Sequence, residues 1–211
     1  TFFRAYYMAR TLARRGHRCT VLAISPHNRL RPSATVRDGV RVVETPDMLT
    51  GIGRTGWDPW DTLWRSAWAW RHRGEFDLIY AFDSRPAVIL PALFLKRAAH
   101  RPLVYDWCDW WGRGGLASER GYGLVDRLMG PVETWFEERF RTAADVTTVI
   151  SAPLRERAIG LGVPPETIFL IPQGCEPDKF QSVAIAAARA RVGLPQEDFI
   201  AGYMGKLIAP D

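Results

Sequence analysis

Three cysteines, Cys19, Cys108 and Cys175, are all the thiol chemistry in the 211-residue chain. They are odd in number and far apart, which excludes a disulfide framework and a zinc-type spacing and suits a reducing cytoplasm. Long apolar runs are missing too. The longest, Ala87 to Leu95, holds nine residues including a proline, whereas a bilayer-spanning helix needs about 20. The opening Thr1-Phe-Phe-Arg-Ala lacks the charged start, apolar middle and cleavage site of a secretory signal. There is no short repeat and no low-complexity tract. With 47% apolar and 12% aromatic residues, disorder is excluded as well, and an ordinary soluble globular protein is expected.

Acid is the next absence. Residues 1–37 contain eight arginines (4, 10, 14, 15, 18, 29, 31 and 37) and no Asp or Glu. Since the whole chain carries a net +5, the remainder is slightly acidic. A basic end on a near-neutral body fits a phosphorylated ligand or an anionic membrane, or simply a solvated helix face. No zinc finger, RNP motif or basic zipper accompanies it, so nucleic acid is not an expected partner.

What is present is an alternation of β-type runs and helical stretches. The expected order is helix Arg4–Arg15 ending at Gly16, strands Arg18–Ile24 and Val40–Glu44, helix Pro59–Arg73 capped by Asp58, and strand Asp77–Phe82. Helix Pro86–Arg97, strand Leu103–Trp107, helix 121–142, strand Val146–Ser151, helix Pro153–Leu161 and strand Thr167–Pro172 follow. In the first helix Ala5, Met8, Ala9 and Leu12 share the apolar face. Nearly unbroken apolar strands alternating with helices define an α/β fold with a doubly wound, Rossmann-like parallel sheet. Residues 1–174 are expected to form that domain and 175–197 a connection with an Ala/Arg helix, Val183–Val192. Residues 198–211 would open a second domain with strand Phe199–Met204. Such a sheet normally opens with a strand and a glycine loop ahead of the first helix; here the sequence starts at that helix, so an internal piece of a longer protein is expected.

Three stretches carry a family resemblance. Ala144-Asp145, Val149-Ile-Ser151, Leu154, Gly162, Ile168, Ile171-Pro-Gln-Gly-Cys-Glu176 and Phe180 form the first. Met8-Ala-Arg-Thr-Leu-Ala-Arg-Arg-Gly-His17 is the second, and Gly202-Tyr-Met-Gly-Lys206 the third. Together they resemble the family-4 glycosyltransferases of the two-domain GT-B fold. The resemblance implies transfer of a sugar, typically a hexose, from a nucleoside-diphosphate sugar to a glycan, lipid or other hydroxyl acceptor, with retention. It implies an acceptor-side N-terminal domain and a donor-side C-terminal one, with no metal. Lys206 and Gly205 match the family's first diphosphate-binding turn. Gly174 stands at the crossover, where glycine would let the backbone turn sharply. The family's second lysine and paired glutamates would fall beyond Asp211, so this stretch alone is expected to be inactive.

On the acceptor side, open α/β sheets bind ligands at the carboxyl ends of their strands. Asp83 follows strand 77–82, and Asp106 and Asp109 end the next strand. Asp109 aligns with the Asp of a family His-Asp pair, with Cys108 in place of the His. A carboxylate there can orient or deprotonate an acceptor hydroxyl; alternatively, Asp106 and Asp109 cap a helix or pair with Arg113 and Arg120. Trp107, Trp110 and Trp111 offer flat faces for a sugar ring, or fill core. Arg4 is counted with the acceptor side.

In the helix at 59–73, Trp60, Trp64 and Trp68 fall at i, i+4 and i+8. Leu63, Ala67 and Trp70 widen that arc, while Asp61, Thr62, Arg65, Ser66, His72 and Arg73 occupy the rest. Two readings fit: Trp filling the core, or a helix at an anionic membrane interface. The expected location is cytoplasmic, with a peripheral place on the inner membrane face. A sugar-nucleotide epimerase and a non-catalytic sugar- or partner-binding module are the alternatives to transfer.

Overall fold

The computed structural model describes residues 1–51, 55–115, 124–176 and 182–203. Helix α1 spans Phe2–Arg14, followed by strands β1 (Cys19–Ile24), β2 (Ser33–Arg37) and β3 (Val40–Thr45). Next come α2 (Pro59–Arg71), β4 (Ile79–Ala81), α3 (Pro86–Ala99), β5 (Leu103–Trp107) and α4 (Leu124–Arg139). β6 (Val146–Val149), α5 (Ala152–Gly160) and β7 (Ile168–Leu170) complete the first unit, Thr1–Gln173.

Strands β4-β5-β6-β7 form a parallel sheet in that order, and β1-β3-β2 a second sheet in which β1 and β3 are parallel. This is the Rossmann-like α/β architecture expected from the strand–helix alternation. Helix α3 packs Ile89, Ala92 and Leu93 on Ala81, Leu103 and Tyr105, and α5 packs Leu154 and Ala158 on Val149 and Ile168. The strands are apolar because both faces of a parallel sheet are covered. Helix α1 serves both sheets. Tyr6, Ala9 and Ala13 pack against β1 and β3, while Arg4 reaches the end of β5. The packing face is thus rotated from the expected one: Leu12 is exposed and Tyr6 is buried.

Strand β2 was not expected. Its five residues are all exposed, so it has no apolar signature, and it exists through its ladder with β3. Its local signal is Asp38-Gly39. Both residues adopt left-handed φ, 51° and 78°, the two-residue hairpin turn that Asp-Gly favours.

Asp58 caps α2 as expected, accepting from the backbone N–H of Trp60 and Asp61. The orientation of α2, however, reverses its sequence pattern. Its buried positions are Asp61, Arg65 and Ala69, whereas Trp60, Leu63 and Trp70 are exposed. Trp64 and Trp68 are half-buried, Trp68 stacking on His72 with ring centroids 4.1 Å apart. The reason is an internal ion pair. Arg65 Nε donates to Asp61 Oδ1 at 2.9 Å, and Arg65 Nη2 donates to Thr45 Oγ1 on β3 at 2.7 Å. Paired charges with a hydrogen-bonded strand end can be buried, and they turn the aromatic arc outward.

The second unit, Gly174–Asp211, holds helix α6 (Ile185–Val192), which ends at Gly193 with φ 71°. Arg189 donates to the carbonyls of Pro195 and Gln196. Residues 199–203 form no strand, against expectation. A lone segment with no neighbouring strand has no ladder to join. Met204 lies outside the described residues.

Candidate active site

The carboxyl ends of β4, β5 and β7, with the start of α1, bring most of the expected acceptor-side residues together. Asp106 is fully enclosed, and both its oxygens are occupied. Arg4 Nε donates to Oδ2 at 2.8 Å and Arg4 Nη2 to Oδ1 at 3.0 Å, while Thr148 Oγ1 donates to Oδ1 at 2.5 Å. The Tyr80 hydroxyl shares a 2.8 Å hydrogen bond with Thr148 Oγ1. Arg4 also donates to the carbonyls of Ile171 (2.9 Å) and Pro172 (3.3 Å). Burial alone would lower the Arg4 pKa, but the bidentate pair with Asp106 outweighs it and holds the guanidinium above its ordinary value. Arg4, expected as an acceptor ligand, and Asp106, expected as a catalytic group, are thus paired with each other in this structure. The pair ties α1 to the ends of β5, β6 and β7.

Asp109 is placed differently. It is half-buried and has no ion-pair partner among the described residues. Its carboxylate Oδ2 accepts a 3.5 Å contact from Cys108 Sγ. The Cys108 thiol is pushed up to about 12 by burial first, with the charges of Asp109 and Asp106 adding to it, so it stays protonated at neutral pH. Of the two arginines considered as partners for these acids, Arg113 makes no pair with either, and Arg120 lies outside the described residues.

The loop that carries Asp109 is held from beneath by a residue the sequence reading missed. Glu137 of α4 is fully buried. Its Oε1 accepts from the Trp107 indole at 2.9 Å and from the Trp111 backbone N–H at 3.0 Å, and its Oε2 accepts from Gly112 N–H at 2.5 Å. The neighbouring Arg141 is buried between the Tyr105 and Trp107 rings, its guanidinium carbon 4.0 and 3.9 Å from their centroids. Arg141 Nε donates to the Glu137 carbonyl at 3.0 Å, and burial lowers its pKa. A glutamate in an amphipathic helix carries no signal of this kind. The usable signal was the glycine cluster at 112, 114 and 115. A Cβ at Gly112 would lie 2.3 Å from Glu137 Oε2, and one at Gly115 would lie 2.2 Å from the Trp110 carbonyl.

The three tryptophans separate. Trp107 is 1% exposed, with a guanidinium on its ring and its indole N–H satisfied, so it is core rather than a sugar-stacking face. Trp110 is half-buried. Its indole donates to the Arg113 carbonyl at 2.8 Å, and Arg157 lies 4.5 Å from its ring centroid. Trp111 is also half-buried, with Arg85 at 5.5 Å from its ring.

Asp83 caps the turn into α3, accepting from the Arg85 backbone N–H at 3.1 Å and pairing with Arg85 Nε at 3.5 Å. Arg85, a second residue not anticipated, also donates to the Thr55 carbonyl at 3.1 Å. One partly exposed cation thus ties the loop before α2, the β4 end and the β5 loop. Gly56 makes room for it: its φ is +85° and a Cβ there would lie 2.9 Å from Arg85 Cδ.

Gly174 is exposed, has no left-handed φ, and has open space where a Cβ would stand. The sharp glycine turn expected there is not formed. Gly205 and Lys206 lie outside the described residues.

The model of the glycosyl transferase 4-like domain matches residues 3–174. The chain belongs to that family. Among solved structures it is similar to Anabaena HepE in complex with UDP-glucose, at 21% identity and a TM-score of 0.39, covering 61% of this chain and 32% of that one. Against HepE in complex with UDP the values are 20% identity and a TM-score of 0.42, covering 73% and 36%. With UDP and glucose they are 20% and 0.41, covering 73% and 37%. The chain thus spans about a third of the length of these HepE chains. None of the curated proteins matches it.

Proposed function

We propose that the chain is the acceptor-side part of an enzyme that transfers a hexose from a nucleoside-diphosphate sugar to a hydroxyl of a glycan or lipid-linked acceptor, with retention. The observation that carries this reading is Asp109: a carboxylate with no ion-pair partner among the described residues, on a loop pinned at the ends of parallel strands. Asp109 accepts a hydrogen bond from the acceptor hydroxyl and orients its oxygen toward the anomeric carbon. The bond from that carbon to the diphosphate oxygen breaks with its electron pair. The acceptor oxygen bonds on the same face, and its proton passes to the departing phosphate. The growing charge is met by basic side chains and N–H donors, with Gly205 and Lys206 on the donor side, and the reading requires no metal.

In this reading residues 175–197 connect to a donor domain that residues 198–211 open. The enzyme works in the cytoplasm, peripherally at an anionic membrane; among the described residues no helix is long and apolar enough to cross one.

The test is nucleoside-diphosphate release by the longer protein that contains this domain, supplied with a panel of nucleotide sugars and a lipid extract. Asp109→Asn is expected to lower kcat at least 100-fold while donor binding by calorimetry is unchanged. Full turnover in that variant, or no donor binding by the unsubstituted protein, overturns the reading; donor binding without transfer assigns a binding module instead.

A further inference from the structure

We propose that the outward face of α2 and α3 is a docking surface for an anionic lipid bilayer. The inverted seating of α2 is the starting point. A helix packed for water alone would bury its tryptophans and expose its charges; α2 buries Asp61 and Arg65 against each other and turns Trp60 (45% exposed), Leu63 (65%) and Trp70 (45%) outward. Helix α3, packed beside it, adds Leu90 (37%) and Phe94 (40%). The two contributions are joined, since the Trp70 and Phe94 ring centroids lie 5.8 Å apart.

The charges around this patch choose the occupant. Arg71, Arg73 and Arg97 are exposed, and the Arg73 guanidinium sits 4.0 Å above the Trp70 ring. The only acid of α2 is the buried Asp61, and α3 has none. The exposed charge on these two helices is therefore positive throughout; the nearest exposed acids in sequence, Glu75 and Asp77, lie in the connection to β4. Tryptophan rings with arginines beside them match the boundary between acyl chains and anionic headgroups, where the ring takes the apolar side and the guanidinium the phosphate. A second copy of the chain docking by a two-fold on the same face would oppose these arginines to their own images, with no exposed acid on either helix to pair them.

This deepens the membrane reading above. It is tested by binding alone, so failure of sugar transfer does not touch it. The protein is mixed with large vesicles of phosphatidylcholine, with and without about one-third phosphatidylglycerol, and binding is read by co-sedimentation and by the blue shift of tryptophan emission. Binding is expected only to the anionic vesicles and is expected to weaken with salt. Leu63→Ser with Phe94→Ser, and separately Arg73→Glu with Arg97→Glu, are each expected to reduce partitioning at least tenfold. Leu63→Ser alone, the mildest surface change, is expected to weaken it severalfold with an unchanged circular dichroism spectrum and Tm. The proposal is overturned if anionic vesicles do not retain the protein or if the variants bind as the parent does. A concentration-dependent dimer in sedimentation equilibrium that Leu63→Ser dissociates would give the face to a second copy, and overturns it as well.

Discussion

Glu137 makes one side chain responsible for the posture of a whole loop. Its two oxygens accept from one indole and two backbone N–H groups. Replacing it with Gln puts an NH2 opposite at least one of those donors, so the shape is kept and the hydrogen bonding is not. Glu137→Gln is expected to cost on the order of 2 kcal/mol, read as a lower urea midpoint. Gly112→Ala drives a Cβ into the same carboxylate and toward the Thr134 backbone. A loss of about 1–3 kcal/mol is expected, with near-ultraviolet circular dichroism reporting displaced Trp110 and Trp111. A parent-like Tm in Gly112→Ala would show that the loop is not held as described. The cysteines give a second check at this scale. Cys175 is exposed, while Cys108 is buried with its thiol at about 12. Iodoacetamide at pH 8 is expected to label Cys175 rapidly and leave Cys108 unmodified in the folded protein, as peptide mass mapping would show. The thiolate is the reacting species, so rapid labelling of Cys108 would contradict its described surroundings.

Among the elements, β5 and β6 show how a short motif acquires a physical meaning. Asp145, read in the sequence only as half of an Ala-Asp pair, accepts from the Leu103 backbone N–H at 2.7 Å and from Lys96 Nζ at 2.8 Å. Its own N–H donates to the Leu103 carbonyl at 2.9 Å, so it sets the register of two strands and ties α3 to them. Burial opposes its charge, but those hydrogen bonds outweigh it and hold its pKa below the ordinary carboxylate value. A depressed folded-state pKa contributes stability above the unfolded value, about 3.9, and loses it as pH falls through the folded one. The stability gap between the parent and Asp145→Asn is therefore expected to be constant above pH ~5 and to shrink below pH ~4, measured by urea unfolding at each pH. A gap that is flat into acid would remove the carboxylate from this role. Helix α2 is the contrary case at the same scale. Its length, its Asp58 cap and its aromatic arc are all legible in the sequence, but its direction of packing is not. That direction follows from Arg65 meeting Thr45, a residue 20 positions earlier on another element.

Across the first unit, stability is expected to follow the ladders. β5 and β6 each have a strand on both sides in the parallel sheet, and β3 lies between β1 and β2. Their amides should exchange most slowly with deuterium, and those of β2, exposed along its whole length, among the fastest in the sheets. Protection of β2 equal to that of β5 would mean that the hairpin is covered in solution. The alternation of apolar runs with helical stretches was sufficient for the parallel sheet, because strands covered on both faces must be apolar and helices covering them must be amphipathic. The strand-end position of Asp109 was equally legible, since that site depends on chain order alone. Tertiary structure decided which of the two acids at the end of β5 is bound to an arginine. Asp106 is spent on an arginine 102 positions away, and Asp109 meets no such partner among the described residues. It also decided which tryptophans face outward, and that a glutamate on α4 holds the β5 loop. Periodicity records what a residue's neighbours in sequence allow. Pairing of buried charges is settled by which side chains meet when the sheet closes, and that information is spread over the whole chain.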